Sequence, residues 1–264
     1  MWRIGIDEAG RGPVIGPLVV GALCIPESDL PMLHDIGITD SKLLSESKRC
    51  ELDIWIREQA EVRNWKYELH ISQPSEIDCA MAMTNLNDHE VNLFSSLARK
   101  LQIDGGGILQ LDACDSDARR FGNNVASRLT NWPWEGWTIE SKHGADLDCL
   151  AVAGASILAK VTRDQSMKLL SDDIGLDLGS GYPSDPKTIA AIPRLIEGDE
   201  PHNCLRWGWA TVRDAWKKMY NSNPPRRPHD PNGPSNPQQT RFGAPHVQEQ
   251  DTGGFALWAN WNRL

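Results

Sequence analysis

Ile4-Gly5-Ile6-Asp7-Glu8-Ala9-Gly10-Arg11-Gly12-Pro13-Val14-Ile15-Gly16-Pro17 decides how the rest of this chain is read. An apolar strand runs into two adjacent carboxylates and then a glycine-rich turn. Side chains alternate between the faces of a strand, so Ile4 and Ile6 share one face while Gly5 and Asp7 share the other. Asp7 therefore falls in line with a buried position, where its charge needs a partner, and a metal ion answers that need. Glu8 points away from Asp7 in an ideal strand. Gly10 and Gly12 let the backbone turn just beyond it, however, so both carboxylates can still face one pocket. Taken alone, an Asp-Glu pair at a strand end is also an ordinary polar turn.

Working outward, 264 residues suffice for one α/β core and a small second unit. The longest apolar run, residues 14–25, is interrupted by Gly16, Pro17 and Gly21 and falls short of the ~20 residues that span a bilayer. The N-terminus enters a strand at once, with no basic region, apolar core and cleavage site in sequence, which reads as cytoplasmic. The six cysteines form no C-x-x-C pair, as expected of reduced thiols, and offer no zinc site. A net charge of −9 argues against binding nucleic acid by bulk electrostatics, so any such binding must be local.

Residues 2–8 and 17–25 read as two strands of a hairpin, and residues 65–71 alternate as a half-buried third strand. Ser45 is a candidate N-cap for a helix carrying Leu52, Trp55 and Ile56 on one face. Leu86, Leu93, Phe94, Leu97 and Leu101 mark a helix that the glycines at 105–107 end. A buried strand at 108–111 leads into Asp112-Ala113-Cys114-Asp115. Phe121, Val125 and Leu129 mark a further helix, and residues 137–140 a fifth strand. Residues 146–170 read as one helix rich in small residues, able to lie close against a neighbouring backbone and to carry a carboxylate to the sheet. Asp185-Pro186 starts a helix that Pro193 should kink or shorten, and a last helix spans about 210–220. Seven of the 17 prolines fall in residues 222–264, which read as a disordered tail.

Asp7, Glu8, Asp112 and Asp146 all stand at the ends of apolar elements. Brought together they would repel one another and their pKa values would rise unless a cation sat among them. Carboxylate oxygens without a His or Cys cluster select Mg²⁺ or Mn²⁺. The chemistry this serves best is phosphodiester hydrolysis by two metal ions.

The string Asp7-Glu8-Ala9-Gly10-Arg11-Gly12-Pro13 resembles the opening of the type 2 ribonucleases H, or ribonucleases HII, in a pattern nearest to archaeal members. Leu111-Asp112-Ala113-Cys114-Asp115, Lys142-His143-Gly144-Ala145-Asp146, residues 155–164 and Gly179-Ser180-Gly181-Tyr182-Pro183 resemble the family too. Gly144 stands where relatives usually carry a lysine, and Cys149-Leu150-Ala151 replaces a more usual aromatic-proline-valine. The resemblance covers about residues 2–220 and implies an α/β fold: a ribonuclease H-like mixed five-stranded sheet flanked by helices. The implied divisions are a catalytic domain at 1–170, a small helical C-terminal extension at 171–221 and the tail at 222–264.

By the same resemblance, Asp7, Glu8, Asp112 and Asp146 are the catalytic metal ligands, with Asp115 and Asp148 as the alternatives nearest in sequence. The implied enzyme is an endonuclease that hydrolyses the RNA strand of RNA–DNA hybrids and cuts at ribonucleotides embedded in duplex DNA, leaving 5′-phosphate and 3′-hydroxyl ends. A hybrid-binding scaffold without activity would lack at least one of the carboxylates. A carboxylate-dependent exonuclease or phosphatase would need neither the Gly-Arg-Gly turn nor Tyr182.

Telling RNA from DNA at one position requires something that senses a 2′-hydroxyl. The backbone of Gly10, Arg11 and Gly12 can approach a sugar closely, Arg11 adds a donor for phosphate, and Tyr182 supplies a ring for the neighbouring sugar. Ser41, Lys42 and Lys142 are candidate contacts to the nucleic acid, with Lys160 divided between that role and a structural one. The chain is read as a monomer. Its end, residues 254–261, turns apolar and aromatic, and Leu257 and Trp261 match half of the short motif by which archaeal relatives bind the sliding clamp. Docking back on the protein's own surface is the other reading of these residues.

Overall fold

The computed structural model describes residues 1–38 and 44–227. Ser41, Lys42 and the 254–261 segment lie outside them. Five strands form one mixed sheet in the order β3-β2-β1-β4-β5. β1 (Trp2–Ala9) pairs antiparallel with β2 (Leu18–Pro26), and β2 with β3 (Lys66–Ser72). β4 (Gly107–Asp112) lies parallel to β1, and β5 (Trp137–Lys142) parallel to β4. β1 is thus central, and its alternation sorts the two faces of the sheet.

Ile4 and Ile6, with Leu18, Val20, Ala22 and Cys24, pack under α4 (Leu86–Lys100) and α5 (Ala118–Ser127), where Phe94 and Phe121 meet edge to face. Gly5 and Asp7 point to the opposite face, which α6 (Leu150–Ile174) covers. A Cβ at Gly5 would fall 2.2 Å from backbone atoms of Ala151 and Val152, and one at Gly21 would fall 2.6 Å from the carbonyl oxygen of Ala155. Ala151, Ala155 and Ala159 recur every four residues, so α6 lays a stripe of small side chains on the sheet. α1 (Leu30–Asp35) and α2 (Glu46–Val62) close the outer side of α6 through Leu33, Leu52, Ile56, Ile157 and Leu158. Ser45 caps α2, its hydroxyl accepting from the Lys48 N–H at 3.2 Å.

A separate apolar cluster joins α7 (Pro186–Leu195) and α8 (Ala210–Tyr220) to Val14, Ile15, Leu205, Trp207 and Trp216. The segment just past the glycine-rich turn therefore belongs to the core of the C-terminal helices. Ile15 also makes a single β-bridge with Leu205.

Four features depart from the sequence reading. α3 (Pro74–Met83) was not anticipated; Pro74 in its first turn and the helix formers Ala80–Met83 are the signal it offers. α4 stops at Lys100, and Gly107 already belongs to β4. Asp146 lies in a separate 3₁₀ turn, Ala145–Leu147, so the carboxylate reaches the sheet from a turn and not from α6. α7 continues two residues past Pro193, which falls in its last turn and removes a single ladder bond there.

Arg227, six residues past the Asn221 that caps α8, is buried. Its guanidinium pairs with Asp78 of α3 at 2.7 Å, donates to Asn203 and to the Leu205 carbonyl, and stacks on Trp207 at 4.5 Å. Asp78 also accepts from the N–H groups of Trp207 and Gly208. No helix among the described residues is long and apolar enough to cross a membrane.

Candidate active site

The strand ends bring acids together. Asp7 near the end of β1, Asp112 at the end of β4 and Asp146 in the turn after β5 each offer a carboxylate oxygen within 4.8 Å of the others. Asp7 and Asp146 are almost wholly buried, at 4% and 2% exposure. Glu8 follows Asp7 along β1, which runs on through Ala9, and its carboxyl lies within hydrogen-bonding reach of the Asp7 carboxyl. Its carboxyl joins a second group with Glu90 of α4 and Cys114, again within 4.8 Å. The two groups adjoin, joined by the contact between Glu8 and Asp7. Asp112 lies close enough to act electrostatically on Asp7 and Glu8 alike.

Burial, and then Glu8 and Asp112, hold the Asp7 carboxyl well above the usual carboxylate range, while a hydrogen bond with Ser156 and the charge of Lys160 pull it down. Burial, Glu90 and Asp112 push Glu8 up to about 7. Burial raises Glu90 to about 7 as well, against the opposing charge of Arg11. Lys160 thus faces the acidic centre from α6, one turn beyond Ser156. Asp112 is fixed by the main chain, its Oδ1 accepting from Gly144 N at 2.8 Å and Ala145 N at 3.3 Å. Gly144 holds φ +64, so the residue that departs from the family pattern contributes a backbone donor from a conformation that favours glycine.

The neighbouring acids are engaged elsewhere. Asp115 binds Arg120 through two contacts, at 2.9 and 2.5 Å, which hold its pKa well below the usual range. Asp148 is exposed and pairs with Lys142 at 2.8 Å.

The Gly10-Arg11-Gly12 turn is held from three sides. Arg11 pairs with Glu90 at 3.0 Å and donates to Asn87. Arg163 of α6 fills the space beside Gly10, where a Cβ would fall 2.2 Å from Nε, and donates to the Ser180 carbonyl at 2.9 Å. Its guanidinium lies 5.3 Å from the Tyr182 ring centroid, and a Cβ at Gly12 would lie 3.5 Å from that ring. Tyr182 is 39% exposed and borders the turn, while Val14 and Ile15 both donate to the Gly181 carbonyl. From the third side, Arg206, fully buried, donates to the carbonyls of Gly10, Arg11 and Gly16.

Sequence reading did not single out Glu90, Ser156, Arg163 or Arg206. Glu90 and Arg206 carry no local signal, since their partners lie 79 and 195 residues away. Ser156 and Arg163 stand within the 155–164 string already set apart.

This geometry has solved counterparts. Ribonuclease H2 from Pyrococcus horikoshii OT3 superposes with TM-score 0.73 at 33% identity, over 84% of this chain and all of that one. Ribonuclease HII in its complex with PCNA from Archaeoglobus fulgidus gives TM-score 0.68 at 32% identity, over 79% and 95%. The class defined by sheet and acidic centre is that of the ribonuclease H-like nucleases. The sequence profile of ribonuclease HII matches residues 4–212, and ribonuclease HII of Methanococcus maripaludis (strain C7) is 40% identical over 221 residues, 83% of this chain and 89% of the relative. The chain belongs to the ribonuclease HII family, endonucleases that act on the RNA strand of RNA–DNA hybrids.

Proposed function

We propose that this chain cuts at single ribonucleotides embedded in duplex DNA as well as in hybrids, with Asp7, Glu8, Asp112 and Asp146 holding divalent metal and the Gly10-Arg11-Gly12 turn with Tyr182 reading the sugar. The observation that carries the reading is the three-carboxylate centre standing beside a glycine turn packed on an exposed tyrosine. The donor set fits the metal: the Asp7–Asp112–Asp146 group is made only of hard oxygens, and Asp7 is raised by burial and by like charges that a cation would offset. Mg²⁺ or Mn²⁺ suits it, and when bound supplies activation of water and charge stabilisation at the leaving oxygen.

The chain's own groups do the rest. The Gly144 and Ala145 N–H groups hold Asp112 in one orientation, and Ser156 does the same for Asp7. Lys160 places a positive charge beside the centre. Arg11, committed to Glu90 and Asn87, fixes the turn and leaves its main chain to approach the sugar. Lys142, half-buried at the end of β5, is available to a phosphate in exchange for Asp148. The products are a 5′-phosphate and a 3′-hydroxyl, and the chain acts as a monomer.

The test is a DNA duplex containing one ribonucleotide, incubated with Mg²⁺ or Mn²⁺ beside all-DNA and hybrid duplexes, with the ends mapped. Cutting of the first and third with the second intact supports the reading; an uncut single-ribonucleotide duplex overturns it. Tyr182→Ala is expected to lower kcat/KM on the single-ribonucleotide duplex about tenfold more than on the hybrid, because the ring positions a sugar and holds no metal. Equal losses would count against sugar reading.

Metal removal gives a second check, with a definite sign. A carboxyl whose pKa is raised on folding stabilises the fold only while protonated, so stability falls as pH climbs from the unfolded to the folded value. For Glu8 and Glu90 that window runs from 4.5 to about 7. Each carboxyl costs up to about 1.4 kcal/mol per pH unit within it. Thermal melts of the metal-free chain are expected to show a lower Tm at pH 8 than at pH 5.5, with added Mn²⁺ restoring more at pH 8. The same metal-dependent gain at both values would contradict the ligand assignment.

The A. fulgidus relative was solved with PCNA. By that likeness and the half-match at Leu257 and Trp261, residues 254–264 are proposed as a weak clamp-binding peptide, which calorimetric titration with a sliding clamp tests.

A further inference from the structure

Arg206 is the largest fully buried side chain among the described residues, and its charge faces main chain. Nε donates to the Gly16 carbonyl at 3.1 Å, Nη1 to the Arg11 carbonyl at 2.9 Å and Nη2 to the Gly10 carbonyl at 2.6 Å. Its own N–H donates to the Val14 carbonyl at 2.9 Å, and its guanidinium stacks on Trp209 at 5.0 Å. One planar fork thus gathers three carbonyls of a turn whose glycines would otherwise leave it free to choose among conformations.

The gathering sets a direction. Across a trans peptide the C=O and the following N–H point opposite ways. With the carbonyls of Gly10 and Arg11 turned in toward Arg206, the N–H groups of Arg11 and Gly12 are turned out, away from the C-terminal helices. Two outward amides in succession are the kind of donor pair that meets a sugar hydroxyl or a phosphate oxygen. Arg206 lies in the 203–208 segment, which Asp78 and Arg227 brace from below. The recognition turn thus depends on an element remote in sequence and outside the acidic centre.

We propose that Arg206 is a positioning residue for substrate recognition, locking the Gly10-Arg11-Gly12 turn with its amides presented to the ribose of the substrate. It acts through the main chain and touches neither metal nor substrate. Arginine is required because lysine offers one nitrogen where three carbonyls at separate positions must be met. This rests on the turn being the sugar reader. A single embedded ribonucleotide presents one 2′-hydroxyl, whereas a hybrid presents many, so a loosened turn costs more on the former.

Steady-state kinetics of Arg206→Lys and Arg206→Met on both duplexes, per folded molecule, decide it, with calorimetric Mn²⁺ titration in the absence of nucleic acid. The lysine variant is expected to lose about 100-fold in kcat/KM on the single-ribonucleotide duplex and about tenfold on the hybrid, a displaced contact of an ångström being enough for such a loss. The methionine variant should lose more, and the Mn²⁺ midpoint of the lysine variant should stay within about twofold of the unsubstituted chain. Unchanged kinetics, equal losses on both duplexes or a displaced Mn²⁺ midpoint would each overturn the proposal. An unsubstituted chain that cuts hybrids but not the single-ribonucleotide duplex would instead fail the substrate reading. The hybrid then decides Arg206 alone: about a tenfold loss with the Mn²⁺ midpoint kept supports the role, and no loss overturns it.

Discussion

Asp7→Asn is expected to lower hydrolysis of an RNA–DNA hybrid by about 10³-fold or more, some 4 kcal/mol of barrier, with the fold intact. Asn has the shape of Asp and keeps an acceptor for Ser156, so packing between β1 and α6 is retained. Removing the charge relieves the repulsion by which Glu8 and Asp112 raise Asp7, so the metal-free variant should melt no lower than the unsubstituted chain. What is lost is a ligand oxygen. Asp112→Asn should behave alike in activity, although its amide meets the donors of Gly144 and Ala145 and costs some stability if the –NH₂ faces them. Initial rates at saturating Mn²⁺ beside thermal melts make the measurement. Near-normal rates in either variant would remove that residue from the centre.

Gly5→Ala should strike the fold itself. The added methyl would lie 2.2 Å from the Ala151 carbonyl carbon and the Val152 nitrogen, atoms of a helix backbone that no rotamer change can move aside. Either α6 lifts off β1 or the strand buckles, and overpacking of this kind costs about 3 kcal/mol or more. For a chain of this size that is a fall in Tm of about 6–12 °C. Because α6 also brings Ser156 and Lys160 to Asp7, activity per folded molecule should fall too. A variant melting within a degree or two of the original would show that the helix does not bear on Gly5 as closely as the geometry has it.

These two positions show what the sequence could and could not disclose. Gly5 and Asp7 share a strand face by simple alternation, and the small-residue stripe of α6 was visible, so the sheet, its central strand and its covering helix could all be read. Asp112 was legible because an apolar run ends on it. Glu8 meets the Asp7 carboxyl, and what the sequence did not disclose is its second neighbour, Glu90, brought from α4 far along the chain. Asp146 was assigned to the helix, whereas the left-handed Gly144 breaks the chain into a separate turn. Arg206 and Asp78 were silent. Each is an ordinary polar residue until the partners it meets, far along the chain, enclose it, and no local pattern records that.

Asp78 and Arg227 carry a last consequence. Past Asn221 the chain runs on to Arg227, which closes an ion pair beneath the segment that carries Arg206. Cutting the chain just before Arg227 would therefore unclasp the floor under Arg206 and slacken its hold on the glycine turn.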